Sequence, residues 1–100
     1  MSQVNHVVLM QIKAEVGQEQ IDALYEELAG LVPVIPGLLS FSGGPYSSPE
    51  GFNKQWGHGF SMVFADEASR DGYLPHPEHE RVRDLLLPLV DDVIAFDYLL

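Results

Sequence analysis

Two of the chain's four histidines and one of its four tyrosines lie in residues 73–79, which read Tyr-Leu-Pro-His-Pro-Glu-His. Pro77 suits the first turn of a helix, where its missing N–H leaves no hydrogen bond unmade. His76 is then expected near the N-cap and His79 in the first turn. Because Val82 follows His79 at helical spacing, we expect His79 to share an apolar face and to point inward. Any chemistry of this chain should be centred here.

These residue types favour proton transfer. A histidine titrates near neutrality, so His79 could remove and return a proton at working pH. A helix N-terminus and burial both disfavour imidazolium, so we expect the pKa of His79 to be lowered. Tyr73 could donate its hydroxyl hydrogen to a carbonyl or an enolate. The structural alternative is that His79 satisfies a buried hydrogen bond while Tyr73 packs the corner before the helix.

The other histidines allow several interpretations. His6 shares one face of a predicted strand with Val8 and Met10, so it is either a hydrogen-bonded core residue or a third group of the same pocket. His58 is interpreted as structural. The carboxylates near the C-terminus, Asp97 among them, are interpreted as solvated strand ends and caps.

We predict no metal ion. His76 and His79 are three residues apart, but a metal needs a third ligand and an N-cap histidine faces solvent. Carbonyls in residues 29–35 could instead hold a cation such as magnesium, although no side chain in that segment indicates such a site. The chain contains no glycine-rich phosphate loop, no Ser–His–Asp set and no nucleotide fingerprint.

The composition restricts the class of protein. One hundred residues with 46% hydrophobic content predict a single domain over 1–100 with a small packed core. Fifteen acidic residues against five basic ones argue against binding to nucleic acid or to an anionic membrane. No apolar run reaches the roughly 20 residues of a membrane span. The absence of cysteine fits a reducing compartment, so we expect a cytoplasmic protein.

Hydrophobic periodicity predicts four strands and three helices. In chain order they are a strand at 4–13, a helix at 17–32, strands at 38–43 and 55–64, helices at 67–73 and 77–87, and a strand at 91–99. Asp66 is the predicted N-cap of the second helix. The order β-α-β-β-α-α-β is that of a ferredoxin-like α+β unit, with its helices on one face of an antiparallel sheet. Since the first strand is apolar on both faces, a second subunit is expected to cover the other face.

Several of these segments together resemble the stress-responsive dimeric α/β-barrel (Dabb) family over nearly the whole chain. They are His6-Val7-Val8-Leu9, Ile35-Pro36-Gly37, His58, Tyr73, His76-Pro77-Glu78-His79 and Phe96-Asp97-Tyr98. The resemblance implies a homodimer whose two sheets pack into a shared barrel, with a cleft between each sheet and its helices. It also implies a choice of function, since some members are stress proteins without a known reaction and one branch cyclises linear polyketides by aldol condensation without a cofactor.

In the cyclase branch the catalytic pair matches Tyr73 and His79, and a further cleft histidine matches His6. We therefore expect His79 as base, Tyr73 as oxyanion donor and His6 as the orienting group, with no cofactor. The ligand would be a small apolar or polyketide-like carbonyl compound; the alternative is a non-catalytic stress-response or ligand-binding protein. The predicted ligand-binding residues are Val8, Met10, Leu24, Tyr25, Leu28, Phe60 and Val82. The chain departs from that branch at Leu28, where the branch has a tyrosine, and at Phe60, where it has a smaller residue.

Overall fold

The computed structural model describes residues 2–100, and it has the predicted element order. The elements are β1 (Val4–Ile12), α1 (Gln18–Ala29), β2 (Leu38–Pro45), β3 (His58–Phe64), α2 (Glu67–Tyr73), α3 (Pro77–Leu86) and β4 (Val90–Leu99), with a 3-10 turn (Leu87–Leu89) before β4. The strands form one antiparallel sheet in the order β2-β3-β1-β4. The prediction of a ferredoxin-like α+β fold is confirmed.

Two predicted boundaries differ from the structure by several residues. The helix predicted to reach residue 32 ends at Ala29, because Val34 and Ile35 both donate to the Leu31 carbonyl, at 3.0 and 2.9 Å, and close a turn there. The strand predicted from residue 55 begins at His58, because the Trp56 N–H donates to the Asn53 carbonyl at 2.8 Å and holds a turn. In both places a local turn outweighs the apolar pattern.

The sheet has one covered face and one uncovered face in the protomer. On the covered face, side chains of β1 and β3 such as Val8, Phe60 and Met62 pack beneath the helices and are buried. On the other face lie residues that alternate with these, namely Val7, Leu9, Ile94, Phe96 and Tyr98, which we call the open face. Phe96 there is 67% exposed.

Side-chain caps begin both of the helices that flank the corner between α2 and α3, at the two predicted positions. Asp66 begins α2 by accepting a hydrogen bond from the Ser69 N–H at 2.8 Å. His76 begins α3 by accepting one from the Glu78 N–H at 3.1 Å through Nδ1. The His76 N–H in turn donates to the Tyr73 carbonyl at 3.0 Å. This corner places Tyr73 at the end of one helix and His79 at the start of the next.

None of the helices within residues 2–100 combines the length and the apolar character needed to cross a membrane.

Candidate active site

A cavity of about 260 Å³ lies between the sheet and the corner formed by α2 and α3. We call it the His79 cavity. It is lined by His6, Val8, Leu28, Phe60, Tyr73, Leu74, His79, Val82, Arg83, Leu86, Leu87, Val93 and Ala95. The structure thus brings together all three predicted catalytic residues and four of the predicted ligand-binding residues: Val8, Leu28, Phe60 and Val82.

The other three predicted ligand-binding residues, Met10, Leu24 and Tyr25, do not line this cavity. Met10 shares the face of Val8 but is completely enclosed in the core. Leu24 borders a separate pocket between α1 and α3. The Tyr25 hydroxyl lies 3.1 Å from His58 Nδ1, above the paired ends of β2 and β3. Leu24 and Tyr25 do not line the cavity because only the last turn of α1, with Leu28, reaches it.

The surroundings of His79 favour the neutral form of its ring. Its Nδ1 lies 2.8 Å from the Leu74 carbonyl, and because a carbonyl only accepts, Nδ1 carries the hydrogen. The Nε2 lone pair of the neutral ring is then free to accept a proton. Burial is the largest cause and lowers the pKa of His79, the Leu74 hydrogen bond opposes this lowering, and the positive charge of Arg83 adds a smaller lowering effect. The predicted direction is confirmed, with burial as the main cause.

Tyr73 is arranged as a hydrogen-bond donor. Its ring centroid lies 4.1 Å from that of His79 and 6.0 Å from that of His6, so the three rings are neighbours. Burial raises the pKa of Tyr73 to about 12, and no hydrogen bond contributes to that shift. The hydroxyl therefore keeps its hydrogen at neutral pH and, lining the cavity, can donate it to a bound oxygen.

His6 is held by a charged pair that the sequence interpretation missed. Its Nδ1 lies 2.6 Å from Asp97 Oδ1, and the other oxygen of Asp97 accepts a hydrogen bond from Arg70 Nη1 at 2.7 Å. Burial opposes the charge on Asp97, but the hydrogen bonds from Arg70 and His6 outweigh it and leave its pKa lowered. Because Nδ1 of His6 contacts the ionised carboxylate of Asp97, Nε2 is the remaining polar atom of the His6 ring.

Asp97 is thus not only a solvated strand-end residue, as interpreted from the sequence. A signal for its role was present in the topology, because the first and last strands of a ferredoxin-like unit pair and their register sets His6 opposite Asp97. Arg70 lies on α2 and approaches from the helix layer, so no strand pattern indicates it.

The remaining histidines have structural partners. His58 is bound to the Tyr25 hydroxyl, and burial lowers the pKa of His58 and raises that of Tyr25. The Nδ1 of His76 is occupied as a helix cap. Within residues 2–100, no three His, Cys, Asp or Glu side chains are grouped so as to hold a metal ion.

The lowered pKa of His79 predicts an acid-sensitive component of stability. The unfolded chain, with a histidine pKa of about 6.5, binds the proton more readily than the folded one. The contribution is therefore complete above about pH 6.5 and is lost as pH falls toward the lower folded-state pKa. We expect His79→Gln to lose less free energy of unfolding than the wild type between about pH 7.5 and 5 in urea titrations.

His58 supplies an internal comparison, because burial lowers its pKa in the same direction. His58→Gln should therefore remove a second part of the acid sensitivity, and the double variant should remove both. An unchanged pH dependence in His79→Gln would mean that His79 is not desolvated in the folded protein.

Three known proteins are similar to this chain along nearly its full length. Olivetolic acid cyclase of Cannabis sativa is 21% identical over 95 residues, which cover 95% of this chain and 94% of that protein. A dimeric ferredoxin-like protein of unknown function from Jannaschia sp. CCS1 is 29% identical, with a TM-score of 0.86 and coverage of 96% and 97%. Hydroxynitrile lyase from Passiflora edulis superposes with a TM-score of 0.91 at 19% identity, covering 98% of this chain and 93% of that one, and so shows the shared fold.

The family model described as the stress responsive A/B barrel domain matches residues 4–100. That span includes all four strands, all three helices and every residue of the His79 cavity. The chain belongs to the family of stress responsive A/B barrel domains.

Proposed function

We propose that the His79 cavity binds a small, largely apolar carbonyl compound and catalyses proton transfer at the carbon next to its carbonyl, without a cofactor. His79 is the base, Tyr73 the donor to the carbonyl oxygen, and His6 a second polar group that orients the substrate. The observation that carries this proposal is that His79, Tyr73 and His6 meet in one cavity whose other lining is almost entirely apolar.

In the proposed step, Nε2 of neutral His79 takes the proton from the α-carbon. The C–H electron pair moves into the bond to the carbonyl carbon, the carbonyl oxygen becomes an enolate oxygen, and the Tyr73 hydroxyl donates a hydrogen bond to it. The enolate carbon then attacks a second carbonyl of the same molecule, and the oxygen of that carbonyl takes the proton from His79 as the C–C bond forms. Alternatively, the enolate carbon takes the proton back from His79. A positioned base contributes about 10²–10⁴-fold to such a step.

Two findings support this chemistry over a purely structural role. The similar cyclase from Cannabis sativa acts, by its name, in forming a cyclic product, which an enolate attack on a second carbonyl also gives. A purely structural role does not require two histidines and a tyrosine to converge on one open, otherwise apolar cavity, as His6, Tyr73 and His79 do here.

The substrate is expected to be short. Leu28 and Phe60, the two departures from the cyclase branch, both line the cavity, and its volume lies below the roughly 300–1,000 Å³ of most ligand pockets. We therefore propose a carbonyl compound smaller than a long polyketide chain.

The test is exchange of α-protons for deuterium in D₂O, followed by NMR, for a panel of ketones of increasing length. Ketones that fit the cavity should exchange faster with the protein than in buffer, and those too long to enter should not. If the protein accelerates α-proton exchange for none of the ketones, the proposed proton transfer is contradicted.

We also infer that two copies pair through their open faces. Exposed Ile94, Phe96 and Tyr98 lie side by side with Val7 and Leu9 on that face, an apolar patch of the kind that monomers rarely leave uncovered. The similar Jannaschia protein is described as dimeric. In the pair, each copy would keep its own His79 cavity on the opposite side of the sheet.

The pairing predicts a dimer at micromolar concentration in sedimentation velocity. Phe96→Glu places a charge in the middle of the open face and should shift the protein toward monomer. Leu85→Glu is the matched control, since Leu85 is 46% exposed on α3 in the helix layer, and it should remain dimeric. A compact, stable wild-type monomer would contradict the pairing.

A further inference from the structure

We infer that the ligand of the His79 cavity carries a carboxylate, held at the rim of the cavity by Arg83. This rests on the proposed function in one respect, that the cavity binds a ligand, and is independent of whether the bound molecule then reacts.

The rim of the cavity is where its lining becomes exposed. Inner residues such as Phe60 and Val82 are buried, whereas Leu74, Leu87 and Val93 are each at least one-third exposed. Arg83 belongs to this exposed group, with 45% of its side chain accessible. Of the lining residues in the described part of the chain, Arg83 alone is permanently charged, and its neighbours on the rim are aliphatic.

Arg83 also differs from the other two arginines in its pairing. Arg70 contacts Asp97 at 2.7 Å and Asp71 at 2.8 Å. Arg81 contacts Glu27 at 2.6 Å and Glu78 at 3.2 Å. Arg83 reaches only its sequence neighbour Asp84, at 3.5 Å and with that carboxylate 71% exposed.

The guanidinium of Arg83 is therefore the least engaged of the three. Planar guanidinium groups bind carboxylates through two parallel hydrogen bonds, and a contact at 3.5 Å through one nitrogen leaves that capacity free. In a chain of net charge −10, a carboxylate ligand needs such a local cation, because the overall field repels anions. The charge of Arg83 already acts at the cavity, since it contributes to lowering the pKa of His79.

The spacing of His79 and Arg83 along α3 indicates the shape of the ligand. Arg83 follows His79 by four residues, so the two side chains project from the same face one turn apart. A volume of about 260 Å³ holds roughly nine non-hydrogen atoms at about 30 Å³ each. The ligand class that fits is a medium-chain carboxylic acid whose apolar body lies inside the cavity. To react, such a ligand would also need a carbonyl group next to His79 and Tyr73.

The test compares two probes of equal chain length, octanoate and 1-octanol, by calorimetry or NMR titration at low salt. The wild type should bind octanoate roughly five- to tenfold more tightly than octanol. Arg83→Gln should lose that preference while binding octanol as before, and Arg83→Lys should keep part of it. Arg81→Gln, which removes a cation from the same helix but not from the cavity, should behave as wild type. Shifts of the Ala95 methyl signal place the bound probe in the cavity.

Three results would overturn the inference. Equal affinity of the wild type for both probes, or a preference that survives in Arg83→Gln, would remove the role of Arg83 while leaving the ligand-binding function intact. Binding of neither probe at millimolar concentration would remove the carboxylate inference together with the proposed binding function.

Discussion

His79→Gln is expected to lower the rate of α-proton exchange by roughly 10²–10⁴-fold. Glutamine keeps much of the side chain's volume but has no group that accepts a proton near neutral pH. Tyr73→Phe removes only the hydroxyl from a buried ring and should cost roughly 10²–10³-fold, the usual loss for one oxyanion donor. Rates of deuterium incorporation into the best ketone of the panel measure both effects.

His58→Gln is the matched control for these variants. It removes a partly buried imidazole from the same fold, but His58 is bound to Tyr25 and does not line the His79 cavity. It should leave the exchange rate within a few-fold of wild type. If His79→Gln and Tyr73→Phe fold, bind the ketone and exchange it at the wild-type rate, the proton transfer does not occur at these residues.

Phe60→Ala is expected to destabilise the protein by about 3–5 kcal/mol and to enlarge the cavity. Phe60 is 5% exposed and packs against Phe41 with a ring separation of 5.7 Å, so its removal leaves an unfilled volume next to the existing one. Opposite it, Gly43 leaves room for the Phe60 side chain, because a Cβ on that glycine would come within 2.6 Å of the Phe60 Cβ.

Urea unfolding measures the loss of stability, and the ketone panel measures the gain in accepted length. Phe52→Ala is the control, since Phe52 is 81% exposed and should change neither. Wild-type stability in Phe60→Ala, or an unchanged limit on ketone length, would mean that Phe60 does not form a packed wall of the cavity.

The element order and the α2–α3 corner could be predicted because their signals are local. Asp66 and His76 cap helices through hydrogen bonds to residues two or three positions later, and Pro77 restricts the first turn of α3. The positions of Tyr73 and His79 could therefore be predicted from the same local signals. The strands could be predicted because alternation along β1 and β3 is set by burial of one face.

The rest of the site depends on how elements cross, which periodicity does not specify. Leu24 and Tyr25 have the helical spacing of cavity residues, yet Leu24 borders a different pocket and Tyr25 contacts His58. The contacts of Asp97 with His6 and Arg70 join residues 91 and 27 positions apart. No sequence pattern distinguishes Arg83 from Arg70 and Arg81, and it is the fold that places Arg83 at the rim of the cavity.

The role of His79 as the base is tested most directly by ¹⁵N NMR titration of its imidazole, which reports its tautomer and its pKa without any substrate. We predict the Nδ1–H tautomer, because Nδ1 donates to the Leu74 carbonyl, and a pKa below the unfolded value of about 6.5, because the ring is desolvated. The pKa should rise in Arg83→Gln, where a nearby positive charge is removed. An Nε2–H tautomer, or a pKa at or above about 6.5, would contradict the assignment of His79 as the base.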